Sequence, residues 1–399
     1  FDGVNGGHMQ ASADGQFAYL PNMIYRQNPI SPNNIRAGWV LGSRLTRIRF
    51  DKAVRRQAIT LDAKGKAVSD PHGLAITPDG QRLVASASGT HELLVFRLPD
   101  LPFQDVGGPG DHIEPALLGD AKRFSRIDVG GRPMAVRASR DNQRVFVANY
   151  LSDSVQVVDL DQRKVIQEIS LGGPAVKSLA RRGEEIFLDG QRSLDQWYSC
   201  FSCHYEGGSN AQTMDTLNDG SIRTFKTVLP LHGLMDTAPW TWHGWQRDVK
   251  SAMRKSLTNT MQGKPPTDDD VEALIAYLQT VSIPPNPYRQ PDGALNKAAT
   301  RGKAVFESDK AACAECHNGP HFTDGDVHDV GTGSSKDVYK GYNTPSLLGA
   351  HRKVRWLHHG RAKSLEQLLT KYHNPAEFAG GDPLTQEELR DLIEYVKSL

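Results

Sequence analysis

Two short segments contain all four cysteines of the chain, and in each segment a histidine directly follows the second cysteine. The segment YSCFSCHYEGG holds Cys200, Cys203 and His204, and the segment AACAECHNGP holds Cys313, Cys316 and His317. Both are Cys-x-x-Cys-His motifs, so no thiol is left for another purpose. The fold must therefore bring each cysteine pair and its histidine to a common site.

This spacing is typical of c-type haem attachment, because two cysteines three positions apart can form thioethers to one porphyrin while the next histidine reaches the iron. A zinc ribbon is disfavoured, since its halves lie about 15–20 residues apart and these histidines stand at positions 204 and 317. Redox dithiols and structural disulfides need no histidine after each pair. The motifs predict two covalently bound haem c groups, with His204 and His317 as axial iron ligands.

The length of 399 residues is sufficient for two or three domains with separate cores. The chain has 47 Lys and Arg against 46 Asp and Glu, so no charge excess favours nucleic acid or an anionic membrane. A run of about 18 apolar residues, which a transmembrane helix requires, does not occur. The sequence begins at Phe1 without a methionine or a signal peptide. Because the c-type cytochromes that the motifs resemble receive haem after export, we expect a mature periplasmic or cell-surface protein, or a piece of one.

A similar phrase recurs three times before the first haem motif. It reads HMQASADGQFAYL at His8, HGLAITPDGQRLVAS at His72 and PMAVRASRDNQRVFVAN at Pro133. Each phrase predicts a β-hairpin, with tight turns at Asp14-Gly15, Asp79-Gly80 and Asp141-Asn142. Each is followed by a further alternating strand pattern, at Ser43, His91 and Asp153. The repeats, most clearly VAN at Val147, resemble the YVTN-type β-propeller family.

The repeat is longer than a usual propeller blade of about 40–45 residues, and the excess falls in inserts such as RQNPISPNN and DLPFQDVGGPGDH. About three blades occupy residues 1–178, whereas propellers have about four to eight. We therefore expect the remaining blades to come from N-terminal sequence or from another chain. A small β-sandwich is the alternative.

From about Gly173 the pattern becomes helical and contains an internal duplication. ARRGEEIF matches ATRGKAVF, LHGLMDTAPWTWHG at Leu231 matches LLGAHRKVRWLHHG at Leu347, and PPTDDDVEALIAYLQTV matches DPLTQEELRDLIEYVKSL. Thr267 and Thr385 have capping-box spacing before the two closing helices, and the proline-rich SIPPNPYRQPDG is the linker. The predicted fold is multidomain: a partial, all-β propeller in residues 1–178, then two mainly α-helical cytochrome c-like domains in residues 179–283 and 284–399.

The haem motifs, NTPSLLG at Asn343, HHGRAKSLEQLL at His358 and the closing helices give residues 180–399 a resemblance to a known family. They are similar to the bacterial di-haem cytochrome c peroxidases and the related di-haem enzyme that matures the quinone of methylamine dehydrogenase. The resemblance implies that the first haem meets hydrogen peroxide or dioxygen. The second would exchange electrons with a partner protein such as a small cytochrome or a cupredoxin. A calcium ion between the haems is also implied, with Thr344 near a ligand position.

The resemblance places the distal ligand of the second haem in LLTKYHNP, so we expect Tyr372 to bind the iron, with His373 as the alternative. Tyr372 as a packed aromatic is the other interpretation. At the offset of 116 that relates Leu231 to Leu347, Ser256 and Leu257 fall opposite these two residues, and neither can hold iron. The sixth position of the first haem is then open or is filled from elsewhere. The first candidate to fill it is His232, and the lesser ones are Met235, Met253 and Met261.

Peroxide cleavage needs a base that takes a proton and returns it to the leaving oxygen. The peroxidases resembled here use a Gln and a Glu, but those places fall near Ala252 and Thr260. Residues that could substitute are His232, His243 and Gln246. A hydrogen-bonded core position is the alternative for His232, and a structural role is the alternative for His243, which the second unit matches with His359.

Three tryptophans, Trp240, Trp242 and Trp245, crowd one short segment of the first haem unit. The resemblance implies that an aromatic residue between haems relays electrons, and we expect Trp240 to be a candidate, with core packing as the alternative. The sequence as a whole predicts an extracytoplasmic di-haem oxidoreductase of the peroxidase type. A non-catalytic electron carrier with two six-coordinate irons and a di-haem oxygenase both remain open.

Overall fold

The computed structural model describes residues 3–50, 56–103 and 110–399. The chain forms two compact units, one made of Phe1–Tyr205 and Ser256–Leu274 and the other of Glu206–Lys255 and Ile275–Leu399. Residues 104–109 of the insert DLPFQDVGGPGDH lie outside the described residues. The domain boundaries after residues 178 and 283 stay a prediction.

The first unit contains three antiparallel sheets. The first sheet contains β1 (Gly3–Val4), β2 (Gln10–Ala11), β3 (Phe17–Tyr25), β4 (Leu41–Arg49) and β5 (Arg56–Thr60). The second contains β6 (Pro71–Ile76), β7 (Arg82–Ala87), β8 (Glu92–Arg97) and β9 (Phe124–Asp128), and the third contains β10 (Pro133–Ala138), β11 (Arg144–Asn149), β12 (Ser154–Asp159) and β13 (Lys164–Ser170). The three predicted hairpins are β2–β3, β6–β7 and β10–β11, and the all-β prediction is confirmed.

The three hairpin turns are built by the same hydrogen bonds. In each turn an aspartate carboxylate accepts from the amide two residues later at 3.0 Å and from a hydroxyl two residues earlier. The hydroxyl donors are Ser12, Thr77 and Ser139, and they hold the pKa values of Asp14, Asp79 and Asp141 below the usual range. The residue after each aspartate has a positive φ, which Gly and Asn adopt readily. The recurring phrase is thus a structural repeat.

The strands β6, β7 and β8 of the second sheet are nearly continuously buried. Apolar runs without alternating polar residues are typical of a sheet that is covered on both faces. Leu83 and Ala85 of β7 belong to a core with Tyr19 and Leu45 of the first sheet. Val84, between them in the sequence, belongs to a core with residues of the third sheet, Val136, Val145, Val147 and Val158. Since successive side chains point to opposite faces of a strand, β7 lies between the two cores.

The remaining elements are mainly short helices. The α-helices are α1 (Pro32–Arg36), α2 (Pro115–Leu118), α3 (Leu179–Leu188), α4 (Cys200–Cys203), α5 (Val249–Lys255), α6 (Asp268–Leu278), α7 (Lys297–Phe306), α8 (Cys313–Cys316), α9 (Leu365–Gln367), α10 (Pro375–Ala379) and α11 (Gln386–Ser398). Two π-helices cover Ser256–Thr260 and Leu368–Tyr372. The 3₁₀ helices cover Leu98–Asp100, Gly190–Arg192, Leu194–Gln196, Tyr205–Gly207, Leu234–Asp236 and Ala350–Arg352. Two-residue strands pair as β14 (Thr213–Met214) with β15 (Lys226–Thr227), and β16 (Val327–His328) with β17 (Tyr342–Asn343).

The closing helices begin as their sequence predicts. Thr267 and Asp270 exchange the two hydrogen bonds of a capping box, and so do Thr385 and Glu388. In the second unit α11 packs on α7 through a core that includes Phe306, with Gly302 at a close approach: a Cβ there would lie 1.9 Å from the Asp391 carbonyl oxygen. The segment 282–293 contains neither helix nor strand, and its role as the linker stays a prediction. Within the described ranges, no helix has the length and apolar character needed to cross a bilayer.

Candidate haem-binding sites

The two Cys-x-x-Cys-His motifs fold into the same local structure. Each cysteine pair forms the ends of a four-residue helix, α4 or α8, and the histidine ends that helix with similar backbone angles (φ −94°, ψ 60° and φ −91°, ψ 67°). The amide of His204 donates to the Cys200 carbonyl at 2.9 Å, and that of His317 donates to the Cys313 carbonyl at 2.9 Å. The repeated turn presents two sulfurs and one imidazole together, which is the donor set that haem c requires.

A buried carboxylate directly before β6 of the first unit holds the first motif. Asp70 accepts from the Ser199 hydroxyl at 2.5 Å and from the Ser202 hydroxyl at 2.6 Å. Its counterion is Arg132, 3.7 Å away, whose guanidinium lies 4.3 Å from the centre of the Phe201 ring. Asp70 and Arg132 are 4% and 3% exposed, so the pair is nearly free of solvent screening.

The second motif has no equivalent of this arrangement. The positions of Ser199 and Ser202 are taken by Ala312 and Glu315, which offer no hydroxyl. The two attachment helices therefore share a backbone conformation but differ in what fixes them. The sequence analysis missed Asp70, because nothing in the chain near residue 70 indicates a partner about 130 residues away.

Two π-helices mark matching positions in the haem domains and correct the gapless alignment. The amide of Met261 donates to the Ser256 carbonyl at 2.9 Å, and the amide of His373 donates to the Leu368 carbonyl at 2.7 Å, both five residues back. Helix α5 has seven residues and α9 has three, so the first domain has one additional helical turn before its π-helix. The residue that matches His373 is therefore Met261, not Leu257 as the offset of 116 predicted.

Met261 belongs to the first motif's surroundings. Its side chain is 3% exposed, and its Sδ lies 3.6 Å from the Cys200 Sγ. Burial raises the pKa of Cys200 and of Cys203 to about 12, so both thiols are neutral at physiological pH. From the sequence alone Met261 is a minor candidate, because the sequence does not show that α5 is one turn longer than α9.

The second motif's histidine is prepared to bind a metal through one ring nitrogen. The Nδ1 of His317 lies 3.1 Å from the Phe322 carbonyl oxygen, which leaves Nε2 as the ligand atom. Burial lowers the pKa of His317 to about 4, and the nearby His373 and Lys353 contribute in the same direction. The ring is therefore neutral at physiological pH, as iron ligation requires.

Of the two predicted distal residues, His373 is the one with an unused buried nitrogen. Within the described part of the chain, the Nδ1 of His373 is buried and has no hydrogen-bond partner, and burial lowers the pKa of this ring. Tyr372 packs on the core of the second unit, and its ring lies 5.7 Å from that of His359. An orphaned buried imidazole indicates a missing partner such as a metal. Both assignments stay predictions, and the donors present fit a haem at this motif.

The four residues predicted to be catalytic, His232, Trp240, His243 and Gln246, all lie in the second unit. Trp240 pairs with Gln246 through backbone bonds, and its indole donates to the Leu234 carbonyl at 2.9 Å. The His232 ring is hydrogen-bonded to the Glu206 backbone, and burial lowers its pKa. His243 is 4% exposed, with Nδ1 2.7 Å from the Gly341 carbonyl oxygen. Their roles in catalysis stay predictions.

An ammonium group occupies a cluster of oxygens in the second unit. The Nζ of Lys226 lies 3.0 Å from Asp219, 2.9 Å from Asp337 and 2.9 Å from the Thr224 hydroxyl. The Thr344 carbonyl, which the resemblance places near a calcium ligand position, accepts from the Thr323 hydroxyl at 2.6 Å. The predicted calcium ion stays a prediction. The carboxylates of Asp219 and Asp337 already have the Lys226 ammonium as their counterion.

Family comparison identifies the helical part of the chain. Residues 303–399 match the family model of di-haem cytochrome c peroxidases, and residues 180–282 match that of cytochrome c. Residues 303–399 are therefore similar to the di-haem cytochrome c peroxidases, and residues 180–282 are similar to cytochrome c. The resemblance predicted from the sequence is confirmed, as is the order of an all-β region followed by cytochrome c domains. The two family matches imply haem c, and they support an oxidoreductase.

Individual relatives agree with this assignment. Hydrazine synthase subunit gamma of Kuenenia stuttgartiensis is 27% identical over 57% of this chain and 79% of its own length. Methylamine utilization protein MauG of Methylorubrum extorquens is 29% identical over 54% of this chain and 76% of its own. A solved structure of Kuenenia stuttgartiensis hydrazine synthase is 25% identical, with a TM-score of 0.51 over 57% of this chain and 89% of that one.

Proposed function

We propose that the chain is an extracytoplasmic, peroxidase-like di-haem oxidoreductase. It would hold haem c through thioethers at both motifs and move electrons between a partner protein and peroxide or dioxygen. One observation carries the proposal: the attachment turn occurs twice with the same geometry, while the matched residues on the π-helices differ, Met261 in one domain and His373 in the other. Two haems that are attached in the same way but have different distal ligands would differ in reduction potential, so electron transfer between them would favour one direction.

The ligand sets follow from this match. His204 and His317 would be the proximal ligands, and Met261 and His373 the distal ones, with His373 preferred to Tyr372 because its buried nitrogen has no partner. Haem supplies one-electron chemistry at its iron, and axial methionine raises its potential relative to two imidazoles. Electrons would therefore favour the first haem. Because thioether sulfur is a soft ligand that binds oxidised iron weakly, a haem held by His204 and Met261 would be the one open to peroxide.

Met261 also supports the alternative of a non-catalytic carrier, in which methionine stays on the iron in every redox state. Absorption and EPR spectra of the holoprotein, with and without cyanide, separate the two. A high-spin or cyanide-binding iron in the oxidised or half-reduced protein supports the oxidoreductase. Two low-spin irons that ignore cyanide in every redox state would establish the carrier.

Substitution at the distal positions tests the ligand assignment. Met261→Ala should convert one iron to high spin, and Met253→Ala, in α5, is the matched control that should not. His373→Ala should convert the other iron, while Tyr372→Phe should leave its spectrum unchanged. The reverse result for His373 and Tyr372 would restore tyrosine as the ligand. Two thioether-bound haems in the pyridine haemochrome assay are a precondition.

The relatives suggest which acceptors to test. The similar proteins include a cytochrome-c peroxidase of Pseudomonas sp., so turnover of the reduced protein should be assayed with hydrogen peroxide and dioxygen. We propose that the three sheets serve as a docking platform for the electron-donor protein, such as a small cytochrome or a cupredoxin. Loss of reduction by such a donor in Lys164→Glu, at an exposed position of β13, with both haem spectra retained, would support that role.

A further inference from the structure

The second unit contains a buried tyrosine in an unusual setting. Tyr342 is 6% exposed, and its ring is stacked on His358 at 3.9 Å with an angle of 13°. Its other neighbour is His243, whose ring centre lies 4.7 Å away at 25°. The phenol donates a hydrogen bond to Asp337 Oδ2 at 2.9 Å. The Tyr342 ring thus contacts two imidazoles, and its hydroxyl is bonded to a carboxylate. Core packing alone requires neither feature.

The Asp337 carboxylate is ionised near neutral pH, so neither of its oxygens carries a proton. Burial alone would raise the pKa of Asp337, but hydrogen bonds from Lys226 and from the Ser334 amide outweigh it and hold the pKa at about 2. Burial and the Asp337 carboxylate hold the pKa of Tyr342 well above its usual value. The phenolate is therefore inaccessible near neutral pH. Loss of an electron from this ring must be accompanied by transfer of its proton.

A continuous series of ring contacts leads from Tyr342 to the second haem's distal segment. His358 lies 4.6 Å from His359, and His359 lies 5.7 Å from Tyr372, the residue before His373. On another side, His358 is 6.1 Å from Trp242. Closely spaced aromatic rings shorten each step of electron transfer, because no step has to cross a wide gap of saturated side chains.

We propose that Tyr342 is a redox-active tyrosine that loses its electron and its proton together. The electron passes along the rings to a one-electron oxidant, which in the proposed function is haem iron oxidised by peroxide. The phenolic O–H bond breaks, and the proton moves to Asp337 Oδ2, leaving a neutral tyrosyl radical. Reduction by the partner returns the electron, and Asp337 returns the proton. Lys226 stays paired with Asp219 throughout and keeps the cluster close to neutral.

The test traps the radical by rapid freeze-quench EPR of the full-length holoprotein after mixing with hydrogen peroxide. We expect a tyrosyl signal that narrows when deuterated tyrosine is supplied and disappears in Tyr342→Phe. The matched control is Tyr339→Phe, because Tyr339 also stacks near His243, at 6.0 Å, but is 41% exposed and, within the described part of the chain, has no carboxylate partner. An unchanged signal in Tyr342→Phe overturns the proposal.

Asp337→Asn tests the proton acceptor and serves as the second variant if Tyr342→Phe fails to retain haem. It should slow radical formation about 100-fold, because a positioned base contributes roughly that much to proton transfer. An equal rate in Asp337→Asn would also overturn the proposal.

The redox role of Tyr342 rests on the proposed function only for its oxidant. A second oxidant therefore tests the redox role of Tyr342 separately from peroxide turnover. Flash oxidation with a ruthenium polypyridyl complex and an external quencher needs no peroxide chemistry. A Tyr342 radical with ruthenium but none with peroxide would keep the redox tyrosine and reject peroxide turnover. Failure to form the radical with either oxidant would reject the tyrosine proposal itself.

Discussion

The Ser202 hydroxyl, between the two cysteines of the first haem motif, donates to the Asp70 carboxylate at 2.6 Å. This bond ties the attachment helix to Asp70, which directly precedes β6 and is far from the helix in the sequence. Because Asp70 also accepts from Ser199 and faces Arg132, it fixes both the position and the charge near the first site.

Asp70→Asn should change the first haem and leave the second unchanged. Arg132 would lose its anionic partner, and the added positive charge would raise the reduction potential of the first haem. The two hydroxyls would keep only one good acceptor, so thioether attachment at Cys200 and Cys203 should also fall. Redox titration and haem counting by mass spectrometry measure both effects. The second haem is the internal control, and an equal shift of both potentials would contradict a local role for Asp70.

Gly302→Ala should destabilise the second unit strongly. A Cβ at this position would meet the Asp391 carbonyl oxygen at 1.9 Å, and α7 would have to move away from α11. Overpacking of this kind costs about 3 kcal/mol. Urea unfolding measures the change. Gly381→Ala is the control, since no heavy atom lies within 4 Å of its Cβ position. Equal stability of the two variants would show that α7 and α11 are not tightly packed.

The free energy of unfolding should decrease as the pH falls, because His358 is buried in its neutral form. Burial, with His359 contributing, lowers the pKa of His358 to about 3, whereas an unfolded histidine titrates near 6.5. Between these values the unfolded chain binds the proton and the folded chain does not, so stability falls as the pH falls. The contribution is about 1.4 kcal/mol per pH unit. Unfolding at pH 7, 6 and 5 should show a smaller slope for His358→Gln. An identical slope would mean that this ring is protonated in the folded protein.

Removal of the Lys226 ammonium should create a need for another cation. Asp219 and Asp337 would face each other without the ammonium between them, and breaking a buried ion pair costs about 3 kcal/mol. Calcium should recover part of this loss in Lys226→Met, because carboxylate oxygens are its preferred ligands. Thermal unfolding with and without calcium measures the recovery. Lys340→Met is the control, since the Lys340 ammonium donates to the Asp337 backbone carbonyl, at 3.3 Å, and not to its carboxylate. Equal calcium responses in both variants would refute the prediction.

Local patterns were read correctly from the sequence because their physical cause is local. The Thr385 capping box, the Asp79 turn and the Cys313 attachment helix depend on residues within five positions of one another. Pairings that depend on the tertiary fold were not predictable. Tyr342 and Asp337 are five residues apart without a regular element between them, and no periodicity indicates that the phenol turns toward the carboxylate.

The distal positions show a different reason for failure. The gapless alignment was anchored at Trp240 and Trp356, where the two domains do match, as their equivalent backbone bridges show. The additional turn of α5 follows that anchor, inside a helix whose composition gives no sign of an insertion. The comparison therefore lost register before it reached Met261.

The backbone of Ser256–Thr260 gives ligand choice an unusual dependence on chain length. A π-helix contains one residue more than the α-helix it interrupts, and each residue turns a helix by about 100°. Deleting a single residue there would rotate Met261 away from Cys200 while every other side chain stays the same. The loss of one codon would thus remove the proposed distal ligand of the first haem.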